Sequence, residues 1–169
     1  MIQLNNPKTE KYKQFKSFVL SKEFPWFYYQ SIEKHGPSSP FLSHTFLLRP
    51  ATNIGGKKYP VVNSAYIEQM CEIFQEITDF NNIEVNCIYR INANVTEPLK
   101  NIERVPTHVD HVFPHHNMLI YLTDADGATV YGEEMHNPQE DDIIIFGGGK
   151  HFHYYPTEKR RVVLVVTYV

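Results

Sequence analysis

The second half of the chain consists of short segments rich in β-branched and aromatic residues, separated by turn-forming residues. Runs of this length and composition are typical of β-strands. From residue 83 onward they read IEVNCIYRINANV, NMLIYLT, ATVYGEE, EDDIIIFGGG and RRVVLVVTYV. The turn sequence DADG at 124–127 predicts a hairpin that joins the second segment to the third. We therefore expect six or more strands, arranged as an antiparallel β-sandwich or jelly roll with helices packed on one side.

Two segments in the first half have the periodicity of amphipathic helices, Thr9–Ser21 and Ser64–Thr78. Their apolar stripes contain Tyr12, Phe15, Phe18 and Val19 in the first, and Tyr66, Ile67, Met70, Cys71, Phe74 and Ile77 in the second. The aromatic block FPWFYYQ at 24–30 is more typical of core packing than of a substrate platform. We therefore expect helical and irregular structure at 1–82 to support a jelly-roll core at 83–169.

Composition and charge exclude several classes of protein. The length fits one domain, 1–169, and 16 basic against 19 acidic residues give a net charge of -3 without a basic stripe, so a nucleic-acid partner is not expected. The longest apolar run, Val162–Val166, is too short to span a bilayer, and the polar start MIQLNNPKTEKYKQ does not resemble a secretory signal. The two cysteines, Cys71 and Cys87, lie in apolar patterns and predict buried free thiols in a reducing compartment. We therefore expect a soluble, cytoplasmic protein that does not contact a membrane.

The segment THVDHV places His108 and Asp110 two residues apart. In a strand this spacing puts both side chains on one face, which suits two ligands of one metal ion and suits two solvated polar residues equally well. A non-haem iron site needs two histidines and one carboxylate, with three coordination positions left for a co-substrate and dioxygen. A third ligand would have to come from a distant strand, and GGGKHFHYYP offers His151 and His153.

Two arginines open the last strand, Arg160 and Arg161. A guanidinium group binds a carboxylate through two parallel hydrogen bonds, so one of them could hold a dicarboxylate. Arg161 shares a strand face with Val163 and Val165 and should therefore point into the barrel.

Three stretches of the sequence, HVD, IYLTDADGAT and IIIFGGGKHFHYYPTEKRRVVLVVTY, resemble the 2-oxoglutarate- and Fe(II)-dependent dioxygenases. The resemblance covers residues 85 to 169 and is strongest to prolyl-hydroxylase-like and small phage-type members. It implies a double-stranded β-helix, which is a jelly roll, and an enzyme that uses Fe(II), 2-oxoglutarate and dioxygen. The implied activity couples the oxidative decarboxylation of 2-oxoglutarate to the hydroxylation of a C–H bond.

The resemblance also implies roles for individual residues. His108, Asp110 and His151 correspond to the metal ligands, and His151 is preferred to His153 because its ten-residue distance from Arg161 is close to the family's usual gap. Arg161 corresponds to the arginine that binds the distal carboxylate of 2-oxoglutarate.

Two tyrosines are implied near the same co-substrate. Tyr121 corresponds to a residue that hydrogen-bonds the distal carboxylate, although plain core packing is its alternative, and Tyr89 aligns loosely with a residue near the co-substrate. Three further histidines, His111, His115 and His116, are most simply solvated loop residues, with a role in substrate binding as the alternative.

The resemblance leaves the primary substrate open between a protein or peptide residue, such as prolyl, and a small molecule. Two other classes of protein have the same pattern of strands. One is a cupin-like metal protein without redox chemistry, and the other is a jelly-roll binding module that has lost turnover.

Overall fold

The computed structural model describes residues 1–31, 38–50 and 59–169, which form two helices and eleven strands. In chain order these are β1 (Ile2–Leu4), α1 (Glu10–Val19), β2 (Phe27–Tyr29), β3 (Phe41–Leu48), β4 (Val61–Val62), α2 (Ile67–Phe80), β5 (Ile88–Thr96), β6 (His116–Tyr121), β7 (Thr129–Tyr131), β8 (Glu134–His136), β9 (Ile143–Gly147), β10 (His151–His153) and β11 (Arg161–Tyr168). Neither helix in these ranges is long and apolar enough to cross a membrane.

The strands form two antiparallel sheets. The main sheet has the order β1-β9-β6-β11-β5-β3-β2, with β4 paired to β3, and the minor sheet has the order β10-β7-β8. Two isolated bridges, Arg104 to Tyr154 and His108 to His151, add the chain around residues 104–108 beside β10. The expected mostly β jelly roll is therefore confirmed.

Strand β11 shows how the sequence determines the two faces of the main sheet. Residues at alternate positions point to opposite sides of a strand. Val162, Leu164 and Val166 accordingly enter the main hydrophobic core, whereas Arg161 and Val163 line a cavity between the two sheets. One face of the main sheet thus supports the fold and the other faces a cavity.

The two helices cover the core face of the main sheet, as expected. Helix α1 begins where the Thr9 hydroxyl accepts a hydrogen bond from the backbone N–H of Tyr12 at 3.1 Å, which satisfies one of the free donors of the first turn. Residues of both helices share one core cluster with the main sheet; it includes Tyr12, Phe15, Val19, Phe46, Met70, Phe74, Ile91 and Leu164. The helices therefore lie on the side of the sheet opposite the cavity.

The first half of the chain contains more β-structure than its sequence predicts. It supplies β1 to β4, and β3 is an eight-residue strand placed between β5 and β2 in the main sheet. In the aromatic block, Phe24 is buried in the core as expected, whereas the side chains of Phe27, Tyr28 and Tyr29 are exposed on edge strand β2. The segment at 1–82 is therefore part of the sheet as well as its support.

The hairpin expected at the DADG turn is wrong. Strand β6 pairs with β9 and β11, while β7 pairs with β8 and β10, so the chain crosses from the main to the minor sheet at 124–127. The tight hairpin lies instead between β7 and β8, where Gly132 has a φ of 60°. A glycine at the first position of a two-residue loop suits the type II′ turn, whose positive φ costs other residues steric strain.

Both cysteines are free, as expected, but they are less buried than their apolar surroundings suggest. Cys71 is half-buried and Cys87 is exposed. The expectation of two buried thiols is therefore wrong for Cys87, which lies just before β5 begins.

Candidate metal and co-substrate site

The structure brings His108, Asp110 and His151 together. One potential ligand atom from each lies within 4.8 Å of the others. Backbone pairing places the two histidines, because the N–H of each donates to the carbonyl of the other at 3.0 Å. His153 lies two residues further along β10, and its Nε2 is 3.2 Å from the hydroxyl of Thr96 instead.

Nδ1 of both histidines is held by a hydrogen bond to the backbone. Nδ1–H of His108 donates to the carbonyl of Pro106 at 2.9 Å, and Nδ1–H of His151 donates to the carbonyl of Gly149 at 3.0 Å. In each ring Nε2 is left as the potential ligand, and that of His151 lies 3.4 Å from Oδ2 of Asp110. Such hydrogen bonds select the neutral tautomer that can bind a metal.

Asp110 is a buried carboxylate with charged partners. Its side chain accepts a hydrogen bond from Nη1 of Arg90 at 2.6 Å, and its backbone carbonyl accepts one from Nη1 of Arg49 at 2.8 Å. Burial alone would raise the pKa of this carboxyl, but His151 and Arg90 together hold the pKa well below its usual range. Burial and the neighbouring His151 lower the pKa of His108. A charged carboxylate beside a neutral imidazole is the protonation state that a divalent cation requires.

Arg161 is buried in the same cavity, at 2% exposure. Its Nε donates to the carbonyl of Gly127 at 3.0 Å and its Nη2 to the hydroxyl of Thr129 at 2.9 Å. In the part of the chain that the structure describes, no carboxylate forms an ion pair with this guanidinium, and burial lowers its pKa. A buried cation whose partners are all neutral is costly, so the arrangement favours an anion from solution at this position.

Close packing around Arg161 accounts for the glycine of the DADG turn. A Cβ atom on Gly127 would lie 2.7 Å from the carbonyl oxygen of Tyr154 and 3.1 Å from Cδ of Arg161. Both distances are shorter than van der Waals contact allows, so the glycine lets the chain pass directly over the guanidinium.

The two tyrosines lie outside the cavity wall. Tyr121 is fully buried, its hydroxyl is 2.8 Å from that of Thr129, and the guanidinium of Arg161 lies 5.2 Å from its ring centroid. The ring of Tyr89 contacts those of His111 and Phe113. Tyr121 therefore lies against Arg161 on its buried side, and Tyr89 is remote from that contact network.

The cavity has a volume of about 230 Å³ and contains both the three-residue group and Arg161 in its wall. Its apolar lining includes Phe41, Val105, Leu119, Phe152, Val163 and Val165. Apolar walls around a few polar groups are typical of ligand sites.

Five polar lining residues were missed by the sequence analysis: Arg49, Arg90, Asn94, Thr96 and Thr129. Three of them lie on β5, whose sequence RINANVT alternates strictly between polar and apolar side chains. The apolar members Ile91, Ala93 and Val95 are in the core. A polar face on a strand in the middle of a sheet is the signal that could have identified them, because such a face needs a cavity or polar partners.

The remaining histidines are only partly as expected. His116 is exposed, but His115 is 4% exposed and its Nδ1–H donates to the carbonyl of Phe113 at 2.7 Å, so the expectation of a solvated loop residue is wrong for His115. Nε2 of His111 is 2.7 Å from the hydroxyl of Thr167. Burial, followed by the charge of Arg49, lowers the pKa of His111 to about 4.

This combination of two antiparallel sheets around a polar cavity defines the class of the fold as a cupin-like jelly roll. No protein-family model and no curated protein matches the chain. Solved structures do match it. An oxidoreductase of the 2OG-Fe(II) oxygenase family from Burkholderia pseudomallei superposes with a TM-score of 0.69 at 12% identity, over 93% of this chain and 78% of that chain.

Two further structures have the same fold. The non-heme alpha ketoglutarate dependent epimerase SnoN from nogalamycin biosynthesis gives a TM-score of 0.61 at 8% identity, over 99% of this chain and 76% of that chain. A predicted oxalate decarboxylase from Thermotoga maritima gives 0.51 at 11% identity, over 88% of this chain and 96% of that chain. The resemblance of the sequence to the 2OG-Fe(II) oxygenases is thus confirmed at the level of the fold.

Proposed function

We propose that the protein is a 2-oxoglutarate- and Fe(II)-dependent oxygenase that hydroxylates its substrate. The observation that carries this proposal is the presence, in one cavity wall, of a histidine–aspartate–histidine group and a buried guanidinium that no carboxylate of the described residues pairs with. A cupin-like metal protein without redox chemistry would need the first feature, whereas the second favours a ligand with a further carboxylate, such as the distal one of 2-oxoglutarate.

The residues present fit Fe(II). Nε2 of His108, Nε2 of His151 and one oxygen of Asp110 are the two-histidine, one-carboxylate set that leaves coordination positions open for other ligands. When bound, the iron supplies the oxidising chemistry in which dioxygen, 2-oxoglutarate and a C–H bond give succinate, carbon dioxide and a C–OH group, with one oxygen atom of dioxygen in succinate and one in the hydroxyl.

The chain itself supplies binding, orientation and a dry cavity. Arg161 would bind the distal carboxylate of 2-oxoglutarate in two parallel hydrogen bonds. Thr129, with Tyr121 behind it, orients the guanidinium for that contact. Tyr89 takes no part in this proposal, since its ring contacts His111 and Phe113 instead.

An anaerobic titration of the metal-free protein with Fe(II) and 2-oxoglutarate tests this function. The chelated pair gives a weak visible charge-transfer band, and Asp110→Ala should abolish it because the candidate site loses its aspartate ligand. His116→Ala, which removes an exposed histidine outside the cavity, should leave the band unchanged. A band that persists in Asp110→Ala would refute the proposed ligand set.

Succinate formation in air distinguishes an oxygenase from the other two classes of protein, and metal binding separates those two from each other. A cupin-like protein without redox chemistry would bind the metal and release no succinate. A binding module that has lost turnover would bind neither Fe(II) nor 2-oxoglutarate tightly.

A further inference from the structure

Arg49 is a cavity residue that hydrogen-bonds only one partner among the described residues. It follows directly after β3, and its side chain is 44% exposed. One nitrogen donates to the backbone carbonyl of Asp110, and another lies 3.9 Å from Oδ1 of the same residue, too far for a hydrogen bond. That oxygen is already held by Arg90 at 2.6 Å. Within the part of the chain that the structure describes, most of the five N–H donors of Arg49 therefore have no partner and can bind a ligand.

The side chains that line the cavity carry an excess of positive charge. Among the described lining residues, three guanidinium groups, those of Arg49, Arg90 and Arg161, face one carboxylate, that of Asp110. The double charges of Fe(II) and 2-oxoglutarate cancel each other, so loading the site leaves this excess of positive charge in place.

Resting on the proposed function, we propose that the primary substrate is a small carboxylic acid whose carboxylate binds Arg49. Because Arg49 contacts the backbone of Asp110, a carboxylate bound there would lie beside a metal ligand. The hydroxylated carbon is then only a few bonds from the carboxylate. Phe41 and Phe152 supply apolar lining for the hydrocarbon part of the acid.

The size of the cavity supports a small acid over a bulky one. Its volume of about 230 Å³ is below the roughly 300–1,000 Å³ that is usual for ligand pockets. The same space must also accept 2-oxoglutarate. A short acid, such as a free amino acid or an aliphatic acid, fits both the volume and the excess of positive charge.

The first experiment measures succinate release by the Fe(II)-loaded enzyme with matched pairs of compounds. The panel contains the free amino acids and straight-chain acids of two to six carbons, each beside its primary amide. We expect at least one acid to stimulate succinate release and to gain a hydroxyl group, and its amide to have no effect. If the enzyme turns over 2-oxoglutarate but no acid stimulates it, or if acids and amides act equally, the proposal is overturned.

The second experiment uses Arg49→Gln with the most active acid. Glutamine can still donate a hydrogen bond to the carbonyl of Asp110 but lacks the charge, so the KM for the acid should rise about tenfold to a hundredfold. The KM for 2-oxoglutarate should change much less, and Arg49→Lys should recover part of the loss. Arg160→Gln, which removes an exposed arginine paired with Glu97 at 2.9 Å, is the matched control.

The outcomes separate this inference from the proposed function. An equal rise in both KM values would assign Arg49 to the co-substrate and overturn the inference while the oxygenase stands. Stimulation by a peptide or a phosphate ester, with no effect of Arg49→Gln, would also overturn it. A wild-type protein that gives neither a charge-transfer band nor succinate would instead refute the oxygenase function.

Discussion

Arg90 gives the two carboxylate oxygens of Asp110 different roles. Its Nη1 holds Oδ1 at 2.6 Å, while its Nε donates to the amide oxygen of Asn92 at 3.0 Å, so the guanidinium itself is fixed on β5. Oδ2 is left facing Nε2 of His151. This arrangement presents one carboxylate oxygen to a metal and makes Arg90 a positioning residue for the proposed ligand.

Arg90→Met should therefore weaken metal binding. Removing a residue that orients a metal ligand typically costs about tenfold to a hundredfold in affinity. Titration of the metal-free protein with Mn(II), followed by electron paramagnetic resonance, measures this directly. Arg160→Met is the control, and an unchanged Mn(II) affinity in Arg90→Met would show that Asp110 needs no such support.

The adjacent arginines allow a second comparison at the scale of single residues. Arg161 is buried among neutral partners, whereas Arg160 is exposed and pairs with Glu97. Arg161→Met should lower the affinity for 2-oxoglutarate about tenfold to a hundredfold, because hydrogen bonds between charged groups are lost. Isothermal titration of the Mn(II)-loaded protein gives the affinity. Arg160→Met should match the wild type, and the reverse result would mean that the co-substrate binds outside this cavity.

At the scale of elements, the sequence predicts strands and faces better than it predicts partners. The alternation in β11 correctly turns Arg161 toward the cavity, because the side-chain period of a strand is local information. The sequence DADG at 124–127 correctly marks a break between two strands, but it does not specify which sheet receives the next strand. Strands β1, β2 and β4 have only two or three residues and form no recognisable pattern.

In the candidate site too, the sequence predicts the strand face of a residue but not its partner. His151 and His153 lie on one face of β10 and both line the cavity, so periodicity cannot choose between them. What favours His151 is its backbone bridge to His108, which is a contact across 43 residues of sequence. Arg49 was missed for a related reason, since it follows a strand that the sequence analysis did not predict.

Outside the cavity, a cluster of charged side chains joins α1 to the turn before β9. The carboxylate of Asp141, in a backbone conformation with φ of 72°, accepts hydrogen bonds from the hydroxyl of Tyr12 at 2.6 Å and from Lys16. Nζ of Lys8 lies 3.2 Å from Oδ2 of the same carboxylate. Burial would raise the pKa of Asp141, but Lys16, Tyr12 and Lys8 together lower it.

Asp141→Asn should therefore destabilise the fold in a pH-dependent way. Asparagine tolerates the positive φ, so the substitution mainly removes charge, at a cost of about 1–2 kcal/mol at pH 7. Because the folded pKa is depressed, this stabilisation is present above the unfolded pKa of about 3.9 and is lost as the pH falls through the folded value. Urea unfolding at pH 7, 5 and 3 should show the wild type and variant converging on acidification.

The matched control for this prediction is Asp79→Asn, which changes an exposed carboxylate near the end of α2. It should cost little stability at any of the three pH values. A constant gap between Asp141→Asn and the wild type from pH 7 to pH 3 would mean that shape, and not charge, explains the loss.

At the scale of the whole molecule, three buried ionisable side chains lie where the two sheets face each other. Asp110 and His151 are at 8% and 9% exposure and Arg161 at 2%, and all three line the cavity between the sheets. The opposite face of the main sheet packs on the helices through apolar residues. The cavity between the sheets thus holds a buried carboxylate and a buried guanidinium, and ligands that enter this layer should stabilise the whole fold.

Thermal unfolding measures that coupling. A ligand at about 100 times its Kd stabilises the folded state by about 2.7 kcal/mol, which for a domain of this size corresponds to a rise in Tm of about 5–10 °C. We expect such a rise in Tm with Mn(II) and 2-oxoglutarate together under nitrogen. The rise with 2-oxoglutarate alone should be much smaller, because 2-oxoglutarate binds partly by chelating the metal. Asp110→Ala should lose the combined effect while Arg160→Met keeps it. An equal rise in Asp110→Ala would place the stabilising metal outside the layer between the sheets.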